Sequence, residues 1–400
     1  MLPSTLEPIR EKARIALIDV QPAGKPRSNE SKALMLSSRT NGGQSLPEYY
    51  LVYFLLVDLL GYENIGQWEK VAWIIPVRYR GRLYSIEHRK FGVGIFAPNH
   101  DPAASRSVTP SPEDESDASE IATAINNAIS IAAPYFEWRA EQAALTSSLN
   151  VVNKNENLFA RYCFFRDKYL DLTVEAEQCK AEWYVQKTDL SDGTSFTTWS
   201  NQSRQLREQA KWYAQAAIEA FFGWTEHAFI HLAIIQDRIK TGADVGALAA
   251  ADWKSKFKSA LDLADHETKN HYDALLDLRA QVRNFIAHGD FGKQGEAFRF
   301  HSGAGAVPVL LTRGQRNRFS LTGKPAFEES SAMELLERFL AHLWSGSRTP
   351  AKIYIFSHLP SILTHTMDGT YSRAMASEQT MNDLVKHMHH QFDRAANMDW

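Results

Sequence analysis

Beyond residue 120, apolar residues recur every three or four positions through most of the chain, the period of a helix that buries one side. "SEIATAINNAISIAAPYFEWRAEQAALTSS", "NENLFARYCFFRDKYLDLTVEAEQCKAEWYV" and "SRQLREQAKWYAQAAIEAFFGWTEHAFIHLAIIQDRIKTG" each predict a long helix. The last ends on Gly242 in a capping position. "ADWKSKFKSALDLA" and "DHETKNHYDALLDLRAQVRNFIAHG" predict two more, opened by Asp252 and Asp265 as N-caps and stopped by Gly289. "EAFRFHSGAGAVPVLLTRGQRNRFSLTG" replaces the helical period with glycines and short β-prone runs, which predicts an inserted hairpin at about residues 294–325. Helices resume at about residue 329 and continue to the end of the sequence.

Upstream the period changes. "PEYYLVYFLLVDLLGY" reads as a helix opened by Pro47 and closed at Gly61, and "VAWIIPVRYRGRLYSIEHRKFGVGIFAP" alternates and turns at Arg80-Gly81 as a β-hairpin does. These two make a small α/β module over residues 46–102. Residues 1–45, rich in Pro, Gly, Ser and Asn towards their end, are expected to be a flexible leader. Residues 103–120 hold prolines, serines and acids with little to bury, so they are expected to be a linker. Residues 121–400 then form the helical domain. The fold class is mainly α: a helical bundle with a β-hairpin insertion, preceded by the small α/β module.

Composition narrows the function classes. With 400 residues, 44% hydrophobic, the chain has ample material for packed cores. A net charge of −3 gives no global basic field, so any anion site must be local. Two cysteines, Cys163 and Cys179, cannot supply a four-ligand zinc site and are expected to be buried thiols on a helix. The N-terminus has no apolar core behind a basic start, and "YYLVYFLLVDLLG" is broken by Asp58 and too short to span a bilayer. A cytoplasmic protein without membrane insertion is the expectation.

The chemistry concentrates in "LRAQVRNFIAHGDFG". At 100° per residue, Leu275, Leu278, Val282, Phe285 and Ile286 fall on one stripe. Arg283, Asn284 and His288 fall on the polar arc, with Asn284 and His288 one turn apart. A guanidinium can hold a phosphate through two hydrogen bonds and stays charged, while an imidazole takes and gives a proton near neutral pH. The pair is what phosphodiester cleavage without a metal requires. The same residues also fit a helix end, where basic side chains answer the dipole and the exposed carbonyls.

"RNFIAHG" within a long-helix bundle resembles the R-x(4–6)-H signature of the HEPN superfamily (higher eukaryotes and prokaryotes nucleotide-binding), in which a polar residue, often Asn, directly follows the Arg. Arg283, Asn284 and His288 match all three positions. The resemblance implies a homodimer that brings two motifs across one cleft, and a metal-independent endoribonuclease, without a cofactor, that arrests growth in antiphage defence or a toxin–antitoxin system. By that analogy His288 exchanges protons with the ribose 2′-OH or the 5′-oxygen, Arg283 stabilises charge on the phosphorus, and Asn284 orients either. RNA is the implied partner, along with an antitoxin or trigger. Two other readings stay open: a non-catalytic HEPN-like module binding RNA, a nucleotide or a protein, and a metal-dependent nuclease in the N-terminal hairpin.

The hairpin itself concentrates Arg78, Arg80, Arg82, Arg89 and Lys90 among Tyr79, Tyr84 and Phe91, a pattern that either captures RNA or is the solvated face of a strand. His266, Glu267 and His271 lack H-E-x-x-H spacing; the five-residue step turns the two rings apart, as in a solvated helix start. His387, His389, His390 and Asp393 read as exposed helix, and no P-loop lysine follows "HSGAGAVP". Phe221, Phe222, Trp224 and Phe229 recur at helical spacing and are expected in the bundle core.

Overall fold

The computed structural model describes residues 3–24, 28–99, 109–189, 194–288, 298–311, 319–321 and 328–398; at positions 283–288 it describes the backbone alone. The described chain is mainly helical with small antiparallel sheets. It divides into two units, residues 1–146 with 386–400, and residues 147–385.

The first unit is built from α1 (Glu7–Ala16), β1 (Val20–Pro22), α2 (Ser28–Met35), β2 (Ser38–Arg39), α3 (Tyr49–Tyr53), β3 (Val71–Tyr79), β4 (Arg82–Arg89), β5 (Gly92–Ala97), α4 (Pro112–Ile131) and α5 (Ala133–Leu145). The five strands form one sheet in the order β1-β3-β4-β5-β2. The hairpin turns where expected: Arg80 and Gly81 both take positive φ, 50° and 78°, matching the right-handed twist of β3 and β4. The register pairs Ile75 with Ile86, Val77 with Tyr84 and Ile86 with Ile95, so these side chains share the face that meets α1, α3 and α4.

Two expectations for this region give way. The leader is not flexible where it is described: Val20 pairs with Tyr79, and Ser38 with Ala97, placing β1 and β2 at the two edges of the sheet. Its small residues serve close packing rather than freedom, since a Cβ on Gly43 would sit 2.5 Å from the Ile95 amide nitrogen. Residues 112–120, expected in a linker, are the first turns of α4. Ser111 and Asp114 close a capping box there, while Ala118, Ile121, Ala122 and Ile125 turn the helix's apolar side into the sheet core. The acids that read as linker composition hold the hairpin: Asp117, 1% exposed, accepts from the Tyr84 hydroxyl at 2.8 Å and pairs with Arg82.

The second unit comprises β6 (Asn150–Val151), α6 (Asn155–Gln178), β7 (Trp183–Asp189), β8 (Ser195–Asn201), α7 (Gln202–Ile235), α8 (Gly242–Ala250), α9 (Trp253–Ala260), α10 (His266–His288), β9 (Phe298–Ser302), β10 (Gly305–Leu311), β11 (Phe319–Ser320), α11 (Glu329–Leu343), α12 (Thr349–Ile355), β12 (Ser361–Ile362), α13 (Leu363–Met367), α14 (Thr370–Ala374) and the start of α15 (Glu378–Asn397). Helices α6 and α7 lie side by side, and α9, α10, α11 and α12 pack around α7. Phe221, Phe222, Trp224 and Phe229 are buried there, as expected. The inserted β structure is present as a three-stranded sheet, β11-β10-β9. No described helix is long and apolar enough to cross a membrane.

Three further expectations change. The long helix ends before Gly242, at Ile235, and is closed by Asp237, whose φ of 57° lets Arg238 N–H reach the Ala233 carbonyl and Asp237 N–H the Ile234 carbonyl. Aspartate tolerates this left-handed conformation, so no glycine is needed, and Gly242 instead opens α8 behind the Thr241 cap. Residues 183–185, read as helix, belong to β7. Cys163 and Cys179 are half-buried rather than buried. Asp252 and Asp265 do cap helices, accepting from the amides of Ser255 and Thr268.

Two consequences for stability follow. Asp117→Ala removes the buried partner of the Tyr84 hydroxyl and the Arg82 guanidinium, leaving them Asp114 and Glu113, and lowers the unfolding free energy by about 1–3 kcal/mol in urea titration, with Asp117→Asn costing less. His231, fully enclosed in the second unit, hydrogen-bonds Ser361 Oγ at 2.8 Å and His227 Nε2 at 3.1 Å. Burial first, and His227 second, push its pKa from 6.5 down to about 3. The unfolded chain therefore binds one more proton than the folded chain between those values. Stability present above pH 6.5 is lost as pH falls towards 3, by up to about 1.4 kcal/mol per unit for this group. Denaturant titrations at pH 7, 6 and 5 should show that slope in the wild type and a shallower one in His231→Gln.

Candidate nucleic-acid interface

The backbone of α10 is helical to His288, so positions 284 and 288 stand one turn apart on one helix, as their spacing predicts. Leu275, Leu278 and Val282 are buried, so the predicted apolar stripe is the one that faces the bundle. The side chains of Arg283, Asn284, Phe285, Ile286 and His288, and all of residues 289–297, lie outside the described residues. The geometry around the motif is therefore set by the helix that carries it.

The basic hairpin of the first unit is engaged within its own fold. Arg78 pairs with Glu30 at 2.6 Å, Arg80 with Glu120 at 2.9 Å, and Arg82 with both Asp117 and Glu113. Arg89 binds the buried Glu87 carboxylate at 2.7 Å and lies over the Phe96 ring, and Lys90 donates to Asn397 Oδ1 at 3.1 Å. Releasing Arg89 to a phosphate would leave the Glu87 carboxylate, 1% exposed, without its cation, a cost of several kcal/mol, and releasing Arg82 would leave the equally buried Asp117 with Arg80 alone at 3.5 Å.

A second basic and aromatic cluster lies in the second unit, where α6 ends, the β7–β8 hairpin stands, and α7 begins. A groove of about 1020 Å³ is lined there by Lys180, Arg204, Arg207 and Lys211, with Glu208 its one acidic wall residue. Trp183, Trp199 and Trp212 line it too, exposed by 61%, 63% and 64%. The strand register explains why two of them meet the same space. Val185 pairs with Trp199 and Trp183 with Asn201, so Trp183 and Trp199 occupy one face of the ribbon. Asn201 fastens the base of the hairpin by donating to the Lys180 and Glu182 carbonyls at 3.1 and 2.9 Å.

The exposure of Trp212 follows from how α7 is buried. Between Ser203 and Ala217 the helix covers only the stripe Ser203, Leu206, Ala210, Ala214 and Ala217, and the rest of its circumference faces the groove or solvent. The cations of the groove are held weakly. Lys180 and Arg207 each lie 2.9 Å from Glu177, and Lys211 lies 3.2 Å from Glu208, all at the surface. Lys180 holds the Glu177 carboxyl below its ordinary pKa. Exposed pairs of this kind are worth about 0–1 kcal/mol, so exchanging a carboxylate for a phosphate costs little. Arg204 makes no ion pair among the described residues.

Exposed tryptophans set among weakly paired surface cations have the chemistry that base stacking and phosphate neutralisation require. The alternation in "WYVQKTDLSDGTSFTTWSN", with Ser-Asp-Gly at its centre, is the signal in the sequence that could have located it. No metal-ligand set lines this groove; the one trio of such groups among the described residues is Glu267, His271 and His342. A smaller cavity of about 390 Å³ beside the end of α7 mixes Asp237, Asp262 and Asp265 with Arg238 and Arg348, charges that answer one another. No protein-family model, no curated protein and no solved structure matches the chain.

Proposed function

We propose that this chain binds single-stranded RNA in the Trp183–Trp199–Trp212 groove and cleaves it with Arg283 and His288, as a metal-independent endoribonuclease of the HEPN type. The observation that carries the reading is the groove, where three exposed tryptophans and four cations share one surface in the unit that also bears the R-x-x-x-x-H helix. Bases stack on the indoles; phosphates replace Glu177 and Glu208 as partners of the cations. The capture surface in this reading is the groove, because Arg82 and Arg89 of the N-terminal hairpin are tied to buried acids and Arg78 and Arg80 pair with acids of their own unit.

Cleavage follows from the chemistry of the two side chains. His288 takes the proton of a ribose 2′-OH, which attacks the adjacent phosphorus, and an imidazole from one or both protomers protonates the departing 5′-oxygen. Arg283 neutralises the charge that gathers on the phosphoryl oxygens, and Asn284 orients the ring or the phosphate from one turn away. The products are a 2′,3′-cyclic phosphate and a 5′-OH. DNA lacks the attacking hydroxyl and is bound but not cut. A homodimer supplies the second motif, and growth arrest in antiphage defence or a toxin–antitoxin pair is the role such an activity serves. The groove stands independently of the motif, so the second reading is a non-catalytic RNA-binding module.

In EDTA, the wild-type protein should cut single-stranded RNA, leaving 2′,3′-cyclic phosphate ends, and His288→Ala should lower the rate by at least about 100-fold while binding is retained. Binding without cutting by the wild type selects the non-catalytic reading; absence of binding sinks both. Trp199→Ala should weaken binding to an oligonucleotide by about 1–3 kcal/mol in fluorescence anisotropy. With four cations engaged, log K should fall with log salt at a slope of about −2 to −3. A flat salt response would remove the groove from the account.

A further inference from the structure

We propose that Glu267, His271 and His342 bind a divalent transition-metal ion of the zinc class, which clamps the start of α10 to the end of α11. Glu267 and His271 are one turn apart on α10 and therefore project from the same side, and His342 reaches them from the last turn of α11. One ligand atom from each of the three lies within 4.8 Å of the others. The two imidazoles stack with centroids 5.0 Å apart, and the His271 ring is held against Phe339. Burial runs from the exposed Glu267 through the half-buried His271 to His342, which is 8% exposed.

The hydrogen bonds around His342 orient its ring towards the other two side chains. Asp265, the cap of α10, accepts both the Thr268 amide at 2.8 Å and the Thr268 hydroxyl at 2.7 Å. With its proton committed to Asp265, the Thr268 oxygen accepts at its other side, so His342 Nε2, 2.8 Å away, is the N–H donor. The lone pair of a neutral His342 is then on Nδ1, and it faces the Glu267 carboxylate oxygen at 3.5 Å. Two acceptors turned towards each other repel unless a proton on Nδ1 or a metal ion stands between them. Two ligands on a tetrahedral ion with bonds of about 2.1 Å are about 3.4 Å apart, which is the spacing these atoms already have.

The surroundings also have the form of a metal site. The chain Asp265–Thr268–His342 fixes the tautomer and orientation of a ligating imidazole from behind, as outer partners of bound metals do. Two imidazoles and a carboxylate suit Zn2+ and Fe2+ and suit Mg2+ poorly. Three protein ligands leave a position for water on the exposed Glu267 side. The ion is not at the cleavage motif: His271 and Arg283 are separated by about 18 Å of helix. Its effect is to fasten the helix that carries the motif, and the proposal stands whether or not the chain cuts RNA.

The test is calorimetric titration of the full-length protein, stripped with EDTA and exchanged into metal-free buffer, with ZnCl2, with FeCl2 under argon, and with MgCl2. One Zn2+ or Fe2+ per chain with a Kd below about 10 μM, a higher Tm with that ion, and no response to Mg2+ are expected. His271→Ala, at a half-buried position, and Glu267→Gln, at an exposed one, should keep the circular dichroism spectrum of the wild type. The first should abolish binding and the second weaken it at least about tenfold. A His387→Ala, His389→Ala variant should bind as the wild type does. No stoichiometric binding, or binding that survives His271→Ala, overturns the proposal. RNA cleavage measured in EDTA reports on the proposed function separately.

Discussion

From Ala217 to Ile235 helix α7 is apolar on nearly every side, and a helix of that kind must be enclosed by protein. The arrangement of the second unit follows from meeting this demand. Phe229 alone touches the rings of Trp253, Phe257 and Phe339, which come from α9 and α11, and Trp224 meets Phe159 and Phe356 from α6 and beyond α12. Two of the polar groups drawn in are matched, the Trp253 indole donating to Thr225 at 2.9 Å and Lys256 to Glu226 at 2.9 Å, while the buried Trp224 indole nitrogen has no partner among the described residues. Towards its N-terminus the same helix narrows to a single buried stripe. The tryptophan groove lies there, at the part of α7 that the bundle does not need to cover.

Two clusters of arginine and aromatic residues thus have opposite characters. In the first unit, Arg82 and Arg89 reach carboxylates that are shut away from water, so that Arg82 holds α4 to the sheet and Arg89 is fixed on its own strand. In the second unit, cations meet carboxylates in open solvent, and the pairing is too weak to fix them. Composition is similar in the two places; the burial of the acids is what differs. That difference separates a structural cluster from one able to exchange partners.

Local periodicity made much of the helical framework legible. The stripe of α10 and the core aromatics of α7 could be read because every third or fourth side chain must agree for a helix to pack. The Arg80-Gly81 turn was readable because few dipeptides take two positive φ values in succession. Short elements were not readable. β1 spans Val20–Pro22 and β2 Ser38–Arg39, lengths at which no period can register, and each exists because a distant strand offers it hydrogen bonds. The α4 acids looked like linker because their partners lie on the hairpin. At the start of α10 the two histidines drew attention, yet His266 turns to Asn270 while Glu267 and His271 meet a ring from α11.

What the sequence determined by itself was the helical character of the chain, several of its caps, the hairpin turn and the one-turn spacing within the R-x-x-x-x-H run. All of these depend on residues within about one or two turns of each other. Tertiary structure alone decided which charges are silenced and which stay exchangeable, which tryptophans remain in the open, and which helix completes the Glu267–His271 pair. These are properties of distance and burial between elements far apart in the chain, and a linear pattern carries neither.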